Sequence, residues 1–118
     1  MLTQEEIEKG SFLIAGYMGC ICNEDGTIGD PFTGERIWPQ EVGWDTNMNL
    51  LVIVVEKIEA EIPEDMHFLI EGRFCWMENP EVVFESTGDS KIEAVFRSVV
   101  KYLTWKNEVG QQKKTKKV

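Results

Sequence analysis

Residues 47–61 read NMNLLVIVVEKIEAE, and the apolar run at 50–55 constrains the fold more than any other stretch. A run of this length suits either a buried strand or a buried helix. Charged residues at helical spacing follow it and Pro63 stands just beyond, which favours a helix that ends before the proline. Thr46 or Asn47 opens it, because a short polar side chain accepts from the first unpaired backbone N–H groups. Met48, Leu51, Val52, Val55 and Ile58 share one stripe, and Leu50, Ile53 and Val54 make the opposite side apolar too. A helix apolar nearly all round is expected to be buried on more than one side, at the centre of the core.

Two more helices carry their own start signals. Thr3-Gln-Glu-Glu6 has the form of a capping box, in which Thr3 and Glu6 satisfy each other's backbone N–H groups. Ile7, Ser11, Ile14, Ala15 and Met18 then share a face that ends near Gly19. Gly10 and Gly16 lie inside this helix, at a cost of about 1 kcal/mol each relative to alanine. Ser90-Lys-Ile-Glu93 is a second capping box. Ile92, Val95, Phe96, Val99, Val100 and Leu103 form the buried stripe of a final helix running to about Asn107. Lys91, Glu93, Arg97, Lys101 and Thr104 face water.

The segments between are β-like or irregular. Cys20-Ile-Cys22 reads as a short strand, and Asp25-Gly26 is a hairpin-turn dipeptide. Residues 26–45 form a long loop with a short strand at Arg36-Ile37-Trp38, packed by its own side chains with Trp38 and Trp44 as anchors. Residues 66–77 alternate, with Phe68, Ile70, Phe74 and Trp76 on one side and Gly72 marking a bulge. A turn at 78–81 joins them to a second strand at 82–86, completing a hairpin. The expected class is α+β: a small antiparallel sheet with three helices in αβα-type layers, one domain over 1–110, then a basic disordered tail at 111–118.

Charge narrows the function classes. The net charge is −9, and four of the twelve cations fall in the last six residues, where no acid stands. The body through Gly110 therefore carries 8 cations against 21 acids, a charge of −13. Such a surface repels phosphate backbones, which argues against direct nucleic-acid binding. Three cysteines cannot all pair within one chain, and an odd, sparse count fits a reducing compartment. Acidic Glu5, Glu6 and Glu8 stand where a signal peptide would be basic, and no apolar run approaches the ~18 residues of a membrane span. The expectation is a cytoplasmic protein that meets no membrane.

Three segments carry a family resemblance: Leu13-Ile-Ala-Gly-Tyr-Met-Gly19, residues 46–59 ending Val-Val-Glu-Lys-Ile-Glu59, and residues 88–105 with Lys91-Ile-Glu-Ala-Val-Phe96. Together they resemble the small proteins of phage and prophage genomes grouped around the phage ABA-sandwich domain, over roughly half the chain. The resemblance implies an αβα-layered small domain and an accessory phage gene. It implies no reaction. Where the family has a tryptophan–aspartate pair in the central helix this chain has Met48 and Asn49, and where it has a first-helix glutamate this chain has Gly16.

The residues themselves assemble little chemistry. Cys20-x-Cys22 with Cys75 and His67, the only histidine, is the one set with zinc-ligand character, but structural zinc uses wider Cys-x₂₋₄-Cys pairs. Cys75 and His67 stand eight residues apart on one expected strand, more than ~20 Å at ~3.3 Å per residue, too far for a nucleophile pair. Asn23 to Thr27 has its glycine too early for a calcium loop. No cofactor or catalytic set is expected. The four tryptophans leave Trp38, Trp44 and Trp105 as a candidate interaction surface. The leading expectation is a non-catalytic phage accessory protein acting through protein contacts, as a homodimer or with another partner. The alternatives are an acidic nucleic-acid mimic, which needs acids aligned along one face, and a small metal protein.

Overall fold

The computed structural model describes residues 2–61, 67–71, 74–78 and 83–116, with the side chains of 2–61 and 86–108. Three helices, α1 (Gln4–Tyr17), α2 (Met48–Glu61) and α3 (Lys91–Lys116), accompany two small antiparallel sheets. In the first, β1 (Ile28–Gly29) pairs with β2 (Arg36–Ile37); in the second, β3 (His67–Glu71), β4 (Phe74–Glu78) and β5 (Val83–Thr87) follow in sequence order. This is the expected α+β class.

The capping box at Thr3 is present in both halves: Glu6 N donates to Thr3 Oγ1 and Thr3 N to Glu6 Oε1, each at 3.1 Å. The helix leaves through Gly19, whose φ of 85° lets Cys20 N reach back to the Ala15 carbonyl at 2.9 Å. Gly10, Ser11, Ile14 and Ala15 are its buried face. Gly10 earns its place through packing, because α3 passes directly over it.

Asn47 caps α2, accepting from Asn49 N at 3.0 Å. Leu51, Val54, Val55 and Ile58 are buried, a single stripe at helical spacing. The expected burial on several sides is corrected: Ile53 is 51% exposed. Among the described elements α2 leans on α3 and β3, so one face is covered and the β-branched residues opposite meet solvent.

The centre is α3, which packs on β3, β4, β5, α1 and α2. Ala94, Val95, Phe96, Val99, Tyr102 and Leu103 are buried along it. At its start, Ser90 Oγ accepts from Glu93 N at 3.4 Å, while Glu93 accepts from Asp89 N at 2.7 Å and from Leu2 N at 3.3 Å. The helix does not end near Asn107. It runs to Lys116, so residues 111–116 continue it where a separate disordered tail was expected. No proline interrupts this stretch, Gln and Lys are good helix formers, and lysines suit the negative end of the helix dipole.

The alternating stretch at 66–77 is two strands and not one. Ile70 faces Cys75 and Glu71 faces Phe74, leaving two residues between β3 and β4, the spacing of a tight hairpin. β5 then pairs with β4, with Cys75 opposite Ser86. Gly72 and the expected turn at 79–81 lie outside the described residues.

Upstream, the Asp25-Gly26 turn is present, with Gly26 at φ 90° and Thr27 N donating to Asp25 Oδ1 at 3.0 Å. The flanking residues meet at a Cys22–Ile28 bridge. Fully buried Ile28 and buried Trp44 fasten the 26–45 loop to the core, whereas Trp38, the other expected anchor, is 50% exposed and does not. No helix among the described residues is long and apolar enough to cross a membrane.

Candidate interaction groove and three-helix cleft

The three tryptophans do not converge. Trp44 is 4% exposed, a core residue, and is removed from the interaction surface. Its indole belongs to the core cluster, against which Ile37, Val42, Met48 and Leu50 from the same stretch also pack. Trp105 is half-buried, packed against the core with its ring tilted 44° to Tyr102 at 6.0 Å. Trp38 alone of the three stands well into solvent, at 50% exposure.

Its position is fixed from below. Trp38 N donates to Glu41 Oε2 at 2.6 Å, closing the first turn of the short 3₁₀ segment Pro39–Val42. Its ring lies over Gly26, where a methyl group would sit 3.6 Å from Cζ3. Phe12, 37% exposed on α1, stands across from it. Trp38, Phe12, Leu13, Pro39 and Gln40 line a groove of about 600 Å³. Gln40 Oε1 is buried there with no hydrogen-bond partner. Ile21 and Phe32, both more than two-thirds exposed, add apolar surface on the same 20–45 segment.

A second concavity, of about 540 Å³, opens where the three helices meet. Tyr17 ends α1, Lys57 and Glu61 come from the last turns of α2, and Tyr102 and Lys106 from α3. Glu61 Oε1 accepts from Lys106 Nζ at 2.6 Å and from Tyr102 Oη at 3.0 Å. Lys57 Nζ donates to the Tyr17 carbonyl at 2.6 Å, where the exposed end of α1 favours a cation. Lys57 and Lys106 also lie 4.3 and 4.9 Å from the centroid of the Tyr17 ring.

Burial raises Glu61, but hydrogen bonding from Lys106 and the two phenols outweighs it and holds the carboxyl below its ordinary range. Both phenols are pushed well above theirs, first by burial and then by the Glu61 carboxylate. Tyr17 Oη leans on the same Glu61 carboxylate, and its oxygen is closed off from solvent. Sequence reading missed this cluster, whose members lie up to 89 positions apart. One signal was available: the chain has two tyrosines, and both are here.

The cysteine set stays unassembled. Cys20 is half-buried and Cys22 exposed, both free thiols, and burial pushes the Cys20 thiol up, away from the ligating thiolate. The side chains of His67 and Cys75 lie outside the described residues. Their backbones occupy neighbouring strands three rungs apart, about 10 Å along the ladder, so the single-strand separation expected above is corrected. Among the described residues no group of three or more His, Cys, Asp or Glu could hold a metal.

Many acids have structural partners. Glu5 pairs with Lys9 at 2.6 Å, Glu6 with Arg97 at 3.1 Å and Asp25 with Arg36 at 3.6 Å. Asp30 accepts from the backbone of Phe32 and Thr33. These carboxylates lie on α1 and in the 20–45 segment. No family model matches the chain, and no curated protein or solved structure is significantly similar to it.

Proposed function

We propose that the chain is a non-catalytic interaction domain, an accessory protein of phage or prophage origin, whose Trp38–Phe12 groove receives another protein. The observation that carries this is Trp38: half-exposed, yet positioned by its own backbone bond to Glu41 and by contact with Gly26. A large aromatic in water beside an apolar groove is a costly surface for an isolated molecule and a common anchor at interfaces. The phage origin rests on the three resembling segments. The partner is a second copy of the chain or a host protein.

The test is capture on the tagged full chain from a bacterial lysate, washed at low and high salt, beside the Trp38→Ala variant, with light scattering of each protein alone. A partner or dimer that survives high salt and is lost with Trp38→Ala supports the reading. Equal capture by both proteins, or a DNA-handling enzyme released at high salt, overturns it, the latter in favour of an acidic mimic.

A further inference from the structure

The charges around the Trp38–Phe12 groove do not balance. Lys9 is the cation in its lining, and Glu5 holds that ammonium at 2.6 Å. Arg36, on the strand that leads to Trp38, pairs with Asp25 at 3.6 Å. In the adjoining cleft, which shares Phe12 and Leu13, Lys106 donates to Glu61 and Lys57 to the Tyr17 carbonyl. Each of these cations has its acceptor. Glu8 and Glu41 are left over. Glu8 lines the groove and takes a neutral bond, from Gln4 Nε2 at 3.0 Å. Glu41 takes another, from Trp38 N through Oε2. No cation among the described residues pairs with either carboxylate.

The apolar part of the groove selects the form of its occupant. Trp38 and Phe12 present ring surface to solvent, and Leu13 and Pro39 extend the lining. The α1 wall lies within the helix, whose backbone groups bond to one another, so an added β-strand has no ladder to join here. Proline rings need none. They pack flat on exposed aromatic rings, and a polyproline II segment arrives already ordered. A lysine or arginine among the prolines meets Glu8 and Glu41, and a guanidinium also stacks on an indole face. The field of a chain with net charge −9 favours the same sign.

We infer that the groove receives a basic, proline-bearing segment of another protein, its prolines on Trp38 and Phe12 and its cations toward Glu8 and Glu41. This rests on the groove's being a protein-binding site, and it selects a different protein over a second copy. The chain has four prolines, Pro31, Pro39, Pro63 and Pro80, and none has a lysine or arginine within two positions of it. A second copy therefore does not supply the segment.

The test is a titration of the full chain with the capped peptide Pro-Pro-Arg-Pro-Pro-Arg, read by two-dimensional NMR of backbone amides and indole N–H groups. Two analogues are titrated in parallel, one with glutamate for arginine and one with alanine for proline. The expected result is saturable shifts centred on Phe12, Gly26 and Trp38, with both analogues at least ~10-fold weaker. Trp38→Ala weakens the parent peptide at least ~10-fold. Glu8→Gln combined with Glu41→Gln, which keeps both neutral hydrogen bonds, weakens it about fivefold and flattens its salt dependence. No saturation, shifts centred elsewhere, or an analogue binding as tightly as the parent overturns the inference. If lysate capture is still lost with Trp38→Ala beside such a result, the groove remains a protein-binding site and only its preference for this class of segment falls. Should Trp38→Ala fail to fold, the three peptides on the native chain decide alone.

Discussion

The ring of Phe96 stands where a side chain of Gly10 would be: a methyl group at Gly10 would lie 2.7 Å from Phe96 Cζ and 2.7 Å from Val100 Cγ2. Helix propensity and packing therefore oppose each other at this position. Gly10→Ala gains about 1 kcal/mol of helix propensity. It also forces a buried overlap of the kind that costs about 1–3 kcal/mol or more. Both clashing groups sit on a packed helix, so packing wins, and net destabilisation of about 1–2 kcal/mol is expected in urea unfolding. Adding Phe96→Leu should recover part of the Gly10→Ala loss, a favourable coupling in the double-mutant cycle.

Tyr17 lines the three-helix cleft and Tyr102 bonds to its Glu61 from the core, so tyrosinate absorbance reports on that cluster alone. Their pKa values are raised by folding above the ordinary 10.0. A group whose folded pKa is raised leaves stability intact below the unfolded value and withdraws it as pH rises beyond. The folded chain should show no ionisation step at the ordinary phenol pKa, and its melting temperature should fall above it. Denaturant should bring the ordinary step back. A normal step in the folded protein would show that the phenols are not enclosed.

Acid acts through different residues. Hydrogen bonding from Arg97, then from Thr3, lowers the folded pKa of Glu6 below the ordinary 4.5. Glu61 is lowered too, burial notwithstanding. Their stabilisation is complete at neutral pH, begins to fade as pH drops to the unfolded value of 4.5, and is lost below the folded values. Glu6→Gln and Glu61→Gln should each lower the melting temperature at neutral pH and flatten its decline in acid. Parallel acid limbs in variant and native chain would sink this.

Trp44 and Trp38 should separate stability from contact. Trp44→Ala empties a core site and is expected to cost about 3–5 kcal/mol. Trp38→Ala removes a half-exposed ring and should cost under about 1 kcal/mol, within the range of surface substitutions. Urea unfolding of the two variants checks the pair. A large loss for Trp38→Ala would make that ring structural.

What could be read from the sequence was what local chemistry decides. The cap at Thr3, the Asp25-Gly26 turn and the Ser90 start each need only a few adjacent residues. The one-sided burial of α2 could not be read, because Ile53 and Val54 look alike until the direction of α3 is known. The break between β3 and β4 was hidden by an alternation that continues through Gly72. Trp38 and Trp44 lie six positions apart in one loop, and only the packing beneath it separates contact from core. The cleft joins Tyr17, Glu61 and Tyr102 from three helices, a relationship no window of sequence contains.

The bonds from Leu2 to Glu93 and from Glu6 to Arg97 each span 91 positions, and Arg97 Nη1 also donates to the Thr87 carbonyl at 2.7 Å. A ribosome delivers the chain from its N-terminus at roughly 5–20 residues per second. For the several seconds before Arg97 emerges, α1 has neither its counter-ion nor the helix that covers Gly10. Its apolar face must wait in the open, so a helix made well before its partner is secured late, and that interval is when a nascent chain of this protein is most exposed to misassociation.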